Sequence, residues 1–415
     1  MARFSPADLD ELRDAIAEAL AAEEPLELVA GGTKPGLGRP LQLPRTLDLS
    51  HLSGIRDYQP SELVLTAAAA TPLAEIEAAL AGKRQMLAFE PPDWGRLHGL
   101  TTSEAARRTL GGVLACNLSG PRRIKAGAAR DHFLGFRGVS GRGEIFKSGG
   151  KVVKNVTGYD LSKLMAGSYG TLAALEEITV RVLPQPEHTL TVLLGGLDPN
   201  SAMRAMRQAL NSPHEVSAAT YLPSGSALSG CTQAVALRLE GPEPSVAFRR
   251  ERLLAELATG SKAAVVEGEA STAFWRAIGD VEPFADLPDH VVWRVSLAPS
   301  RGAEFATAIA SRLDAVWYLD WGGGLVWVAV PSAEDGRAGM PAAADGGAAV
   351  IRAVLHAPDG RGTGHATLVR GPPALRRTTP VFEPQPRALA ALETRVKAAF
   401  DPRRILNPGR LGAEG

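Results

Sequence analysis

Residues 151–184 read KVVKNVTGYDLSKLMAGSYGTLAALEEITVRVLP, and this stretch decides the fold. Lys151 and Lys154 give it a basic entry. Between Tyr159 and Met165, the positions of Leu161, Leu164 and Met165 predict one face of a short helix. Gly167-Ser168-Tyr169-Gly170-Thr171 then forms a turn, and Ile178–Leu183 reads as a strand ended by Pro184. Small residues in such a turn let backbone N–H groups approach a flat or anionic ligand. An ordinary helix-to-strand connection uses the same residues.

Working outward, the bulk composition narrows the classes. A chain of 415 residues predicts two or three domains. Hydrophobic content of 45% with 22% charged residues is that of a globular protein. Forty-five basic and 45 acidic residues cancel, so no global field favours nucleic acid or an anionic membrane. Two cysteines, Cys116 and Cys231, point to a reducing, cytoplasmic compartment without a disulfide framework. They cannot supply the four thiolates of a conventional iron–sulfur cluster. The opening MARFSPADLDELRDAI lacks the apolar run of a secretory signal, and no stretch is expected to span a membrane.

Ser5 and Pro6 are expected to start a helix carrying Leu9, Leu12, Ile16 and Leu20, followed by a strand at 26–30. Gly31-Gly32-Thr33-Lys34-Pro35-Gly36-Leu37-Gly38 comes directly after that strand. Backbone donors in such a loop, with Lys34 offsetting charge, suit a pyrophosphate; a plain turn fits equally. Walker A spacing is absent, and Leu41 stands where a Rossmann fingerprint needs its third glycine. Strands are expected at 46–49, 55–58, 63–69 and 86–89, with a helix carrying Leu73, Ile76 and Leu80. A second glycine segment, Thr109-Leu110-Gly111-Gly112 through Asn117 to Gly120, can open a helix whose N-terminal amides face phosphate. Cys116 within it reads as a small apolar packer. Arg123 and Lys125 read as a solvated face, and Arg130-Asp131 as shaping the site. Residues 134–140 and 144–147 form a hairpin.

The order VxKNxTGYDLxKLxxGSxGTLxxxxExTxxxLP resembles the PCMH-type FAD-binding domain of the vanillyl-alcohol oxidase and D-lactate dehydrogenase superfamily. The resemblance implies an α+β fold: an FAD-binding domain of two α+β subdomains, plus an α+β cap domain with an antiparallel sheet. The loop at Gly31 is similar to the family's first phosphate loop, and Thr109–Gly120 to its TIGGxxAxNxxG segment. The tail FDPRRILNPGR is similar to its closing motif, which folds back towards the isoalloxazine ring. The implied cofactor-binding residues are Gly31, Gly32, Thr33, Lys34, Gly38, Thr109, Gly111, Gly112, Asn117, Gly120, Lys154, Gly158, Gly170, Thr171, Leu175 and Asn407. Some relatives attach FAD through a histidine of the first loop. None lies between Gly31 and Pro40, so FAD is expected to be non-covalent.

After Pro186, strands are expected at 190–194, 218–222, 234–239, 263–267, 290–297, 315–319 and 325–330. Helices at 202–210, 245–257, 272–278 and 303–313 interleave with them, giving a split βαβ sandwich. Residues 331–348 read as a surface loop, and Trp317, Trp321 and Trp327 as packing near one hairpin. Leu389, Leu392, Val396 and Ala399 share a helical face. The expected division is an FAD-binding domain at 1–187, a cap at 188–375 and a returning segment at 376–415.

Related 2-hydroxy-acid dehydrogenases carry a H-x-H-x-G-D-G-N-x-x-H segment in the cap, and this chain has none. His356 and His365, nine apart and without flanking acids, are a poor metal pair, so no metal is expected. With 364–370 and NPGR, the chain resembles the FAD-binding E subunit of glycolate oxidase. That family works beside a larger flavoprotein subunit and an iron–sulfur subunit. The resemblance implies oxidation of glycolate to glyoxylate within a complex that is membrane-associated, if at all, through partners. Two other readings stay open. One is a stand-alone FAD-dependent dehydrogenase of another small 2-hydroxy acid, with His365 as base and Arg370 or Arg361 holding the carboxylate. The other is a non-catalytic flavoprotein scaffold.

Overall fold

The computed structural model describes residues 2–105, 107–150, 158–224, 228, 231, 233–257, 262–332, 344–357 and 363–412. Lys151 and Lys154 lie outside them, as does Arg361. The N-terminal helix is Leu9–Ala22, and it buries Leu12, Ala15, Ile16 and Ala19. Its cap is Asp8, whose carboxylate accepts the Glu11 N–H at 2.9 Å. Ser5 lies three residues too early, because Ala2–Phe4 is already committed to a strand. That strand and Leu26–Val29 flank Arg45–Asp48 in a small parallel sheet.

A second sheet is antiparallel: Ile55–Gln59, Val64–Ala68, Ala173–Arg181, Phe133–Ser140 and Ile145–Gly149, in that spatial order. Its central strand starts at Ala173, five residues before the expected Ile178. Glu176 obscured it: the residue looks like loop but is 2% exposed, its carboxylate held by Arg137 at 3.0 Å. The expected short helix is Leu161–Met165, capped by Asp160, with Met165 buried and Leu164 exposed.

The largest sheet has eight strands. Their order is Lys262–Glu267, His188–Gly195, Ala234–Gly241, Ala218–Leu222, Val316–Asp320, Leu325–Pro331, His290–Leu297 and Gly364–Arg370. Each half runs strand, helix, strand, strand, helix, strand along the chain. The halves meet at one register pair, Tyr221 and Leu319. One face, with Leu190, Val192, Trp293 and Val295, packs against Met206, Phe305 and Ile351 of the covering helices. The opposite face, with Val292, Tyr318, Trp327 and Val369, joins the core of the five-stranded sheet. The three tryptophans are therefore divided: Trp317 lies on the helix side, and Trp321 and Trp327 between the layers.

Periodicity missed the strand Gly364–Arg370 and the helices Ala348–Leu355 and Pro373–Thr378. Of the run read as a loop, 333–343 lies outside the described residues, and Ala348 opens a helix instead. The last helix, Arg387–Phe400, carries the expected stripe, but Leu389 and Leu392 are exposed. No helix among the described residues is long and apolar enough to cross a membrane.

Candidate functional site

A cleft is walled by segments far apart in the chain. Gly31, Gly32, Thr33 and Lys34 form one wall; Thr109, Gly111, Gly112 and Cys116 form another. Tyr169, Gly170 and Leu175 face them, and Asn407 closes the end.

The first wall is a run of free amides. Among the described residues, the N–H groups of Gly31, Gly32, Thr33 and Lys34 have no protein acceptor. A side chain at Gly31 would place its Cβ 1.6 Å from the Arg107 carbonyl oxygen. Only glycine therefore lets this loop run against Arg107. Lys34 donates to the Thr33 hydroxyl at 3.0 Å, and no carboxylate among the described residues reaches ion-pair distance. Burial pushes its pKa down. An ammonium so placed is stabilised by an anion entering the cleft.

The second wall behaves differently from the sequence expectation. Thr109 caps the helix Leu110–Ala115 and accepts the Gly112 N–H at 3.2 Å, while Gly111 N–H donates to Ala69 O at 2.8 Å. These two amides are spent internally. The glycines supply close approach instead: a Cβ at Gly111 would lie 2.7 Å from Ala69 O. Cys116 lines the cleft with its thiol pushed up to about 11 by burial, so it stays protonated.

The tail is a strut. Asn407, at φ 42°, accepts the Leu28 N–H at 2.9 Å and donates to Tyr169 O at 2.8 Å. Asp401, fully buried, accepts the Ile405 and Leu406 N–H groups, each at 2.8 Å. Lys397 donates to Asp401 at 2.6 Å and to Leu406 O at 3.0 Å. Arg410 reaches Glu27 at 3.0 Å.

The remaining sequence candidates lie away from the cleft wall. Gly38, at φ 71°, is packed on Arg410, and its carbonyl accepts from Arg376. Asn117 accepts the Arg130 N–H at 3.1 Å, and Thr171 donates to Ser168 O at 2.7 Å. Gly120 lies against Glu90 between the layers. Gly158 is exposed, and Lys154 is outside the described residues. Arg130 is exposed, and Asp131 accepts the Ala128 N–H at 2.9 Å. Arg370 donates to the carbonyls of His290, Leu97, Phe284 and Leu287, which occupies its guanidinium. His365 is exposed on its strand opposite Ser296, with its pKa lowered by burial and by Arg294.

Reading the sequence by motif passed over Tyr169 and Arg410 as lining residues. Tyr169 stood in the quoted turn, and Arg410 in the quoted tail. Among the described residues no group of three or more His, Cys, Asp or Glu is placed to hold a metal. The free amides, the unpaired Lys34 and the walls that exclude Cβ atoms all fit the diphosphate of a dinucleotide.

Comparison with known proteins agrees with this geometry. Residues 2–149 match the family model described as FAD binding domain. The glycolate oxidase subunit GlcD of Bacillus subtilis (strain 168) is 39% identical over 105 residues, 25% of this chain and 21% of that one. The solved structure of 4-ethylphenol oxidase from Gulosibacter chungangensis superposes with a TM-score of 0.69 at 14% identity. It covers 99% of this chain and 89% of its own, and identifies the fold as the expected PCMH type. The glycolate oxidase subunit GlcE of Escherichia coli (strain K12) is 35% identical over 412 residues, 99% of this chain and 98% of that one. With an FAD-binding domain at its N-terminal end and that likeness along its whole length, the chain belongs to the family of FAD-linked oxidoreductase subunits that includes GlcE.

Proposed function

We propose that this chain is the FAD-carrying subunit of a complex that oxidises glycolate to glyoxylate. The observation that carries the reading is the near full-length similarity to a glycolate oxidase subunit, on a chain whose cleft suits a dinucleotide. Residues 1–187 would form the FAD-binding domain, 188–375 the cap, and 376–415 the segment that returns to close the cleft. The free amides at 31–34 and the Lys34 ammonium would hold the diphosphate non-covalently. Gly170 and Asn407 would set the width of the cleft beyond it.

Oxidation of the acid removes a hydride from Cα and a proton from the hydroxyl, and FAD, when bound, supplies the hydride acceptor. The chain's two free cysteines, Cys116 and Cys231, cannot build an iron–sulfur cluster. Electrons would leave through an iron–sulfur partner, beside a larger flavoprotein subunit. The complex would be cytoplasmic or held at a membrane by its partners.

A second reading, a stand-alone dehydrogenase of a small 2-hydroxy acid, is favoured by Arg294 and Arg123, which share the ring of Trp321 and, among the described residues, have no ion-pair partner. The visible spectrum of the purified chain tests both. Flavin bands that bleach with glycolate only after partner subunits are added are the expected outcome. Bleaching by glycolate alone would favour the stand-alone enzyme. A chain that stays colourless in excess FAD would sink both.

A further inference from the structure

The face of the eight-stranded sheet that joins the core of the five-stranded sheet changes character along its second half. Val292 and Val369 are buried in the shared core. Further along the same two strands, Arg294 and Thr367 form a register pair, as do Ser296 and His365. Strand alternation puts all four on that same face. None of the four is buried, and His365 is exposed. An apolar interlayer therefore opens into a polar gap.

Two guanidinium groups converge at this gap. Arg294 lies 4.9 Å and Arg123 4.2 Å from the ring centre of one indole, Trp321. That indole is fixed: its Nε1–H donates to Gly120 O at 3.1 Å, and its backbone N–H to Asp320 at 2.7 Å. Among the described residues, neither guanidinium has a hydrogen-bond acceptor or an ion-pair partner. Burial and then Arg123 push Arg294 down to about 10, so both arginines stay charged at neutral pH. Asp320 does not reach ion-pair distance, and burial raises its own pKa to about 7. Burial pushes the Arg123 pKa down, Asp131 offsets this only in part, and the ion pair of Asp131 is with Arg130 at 3.9 Å. Two like charges on one ring, unpaired and partly desolvated, are a costly arrangement that an anion relieves.

The gap adjoins the cleft. Tyr169 lines the cleft and sits edge-on to Phe382 at 5.1 Å, and the next residue, Glu383, accepts the N–H of Ala366, beside His365, at 3.0 Å. We propose that the gap is a carboxylate subsite of the cleft, in which Arg294 and Arg123 hold the carboxylate of a small hydroxy acid, with Trp321 as the platform between them and His365 at the rim. The assignment rests on the flavin reading for its position beside the cofactor. It replaces Arg370, whose donors are committed to backbone carbonyls.

The test is calorimetric titration of oxalate, which has no C–H to lose, into the full-length, flavin-loaded chain at low salt. Wild type binds; Arg294→Met and Arg123→Met each weaken binding at least about tenfold, as expected for a lost charge-assisted bond. Arg294→Lys and Arg123→Lys keep the charge and recover part of the affinity, which separates charge from folding. Arg403→Met, at an exposed ion pair with Glu23, leaves affinity unchanged. Wild-type protein with intact flavin bands that binds no oxalate overturns the proposal, and so do Met variants that bind as tightly as wild type. A colourless chain strikes the flavin reading instead, and the same titration on it still decides the role of the arginines.

Discussion

The two halves of the eight-stranded sheet share a chain order but meet the layer of the five-stranded sheet in opposite ways. In the first half, Arg238 and Arg122 face Glu90 and Glu240. Arg238 donates to Glu90 at 2.7 Å, and Arg122 to Glu240 at 2.6 and 3.1 Å. Charge balances, and the ring of Trp275 lies 5.0 Å from Arg238. In the second half, another pair of arginines lies on another tryptophan, and among the described residues no glutamate pairs with either. The first arrangement is a closed joint between layers. The second has the same cations and ring but leaves the anion to come from outside.

The largest difference should appear on deleting a charge. Arg238→Met leaves Glu90 and Glu240 to share the single guanidinium of Arg122 and should cost about 3–5 kcal/mol of unfolding free energy, read by denaturant titration. Arg294→Met strands nothing and should cost less than about 1 kcal/mol. Equal costs would end the contrast between the halves.

A smaller effect is pH dependence. Burial alone would raise the Glu240 pKa, but Arg238 and Arg122 reverse this and hold it at about 2. A carboxylate with a depressed pKa contributes stability above its unfolded value of 4.5, lost as pH falls towards 2. Asp280 has the opposite sign. Burial raises it from 3.8 to about 7, so stability is lost as pH rises through that window. Asp280→Asn keeps an acceptor for the Asp93 N–H and should make the neutral limb of a stability–pH curve shallower, the share of Asp320, also raised to about 7, remaining, with the acid limb in place.

The smallest effect tests the platform. Trp321→Phe keeps a ring but loses the bond to Gly120 O, a loss of about 0.5–1.5 kcal/mol in a thermal melt. A larger loss would mean that this half is a joint too.

Much of the architecture was legible because apolar period survives where a strand is covered on both sides. The strands 218–222 and 290–297 were expected at their observed bounds. The cleft loops showed themselves through glycines that no side chain could replace. Charged residues that fold inward were the blind spot. Glu176 hid half a central strand. Arg294 sits inside the run VVWRVSL, and only the pairing of its strand shows which layer it faces. Arg123 read as solvated loop because nothing local says that Trp321, about two hundred positions later, lies against it.

Asn407 has a consequence for how the molecule is made. Its side chain bonds Leu28, 379 positions earlier, and Tyr169, 238 positions earlier. Contacts of such long range form late, after the entropy of closing the intervening chain has been met. During synthesis the nucleotide's berth would stay unlocked until the ribosome has passed the final helix. Capture of the cofactor would thus be an act of the finished polypeptide, and nascent chains stalled before residue 407 should emerge without colour.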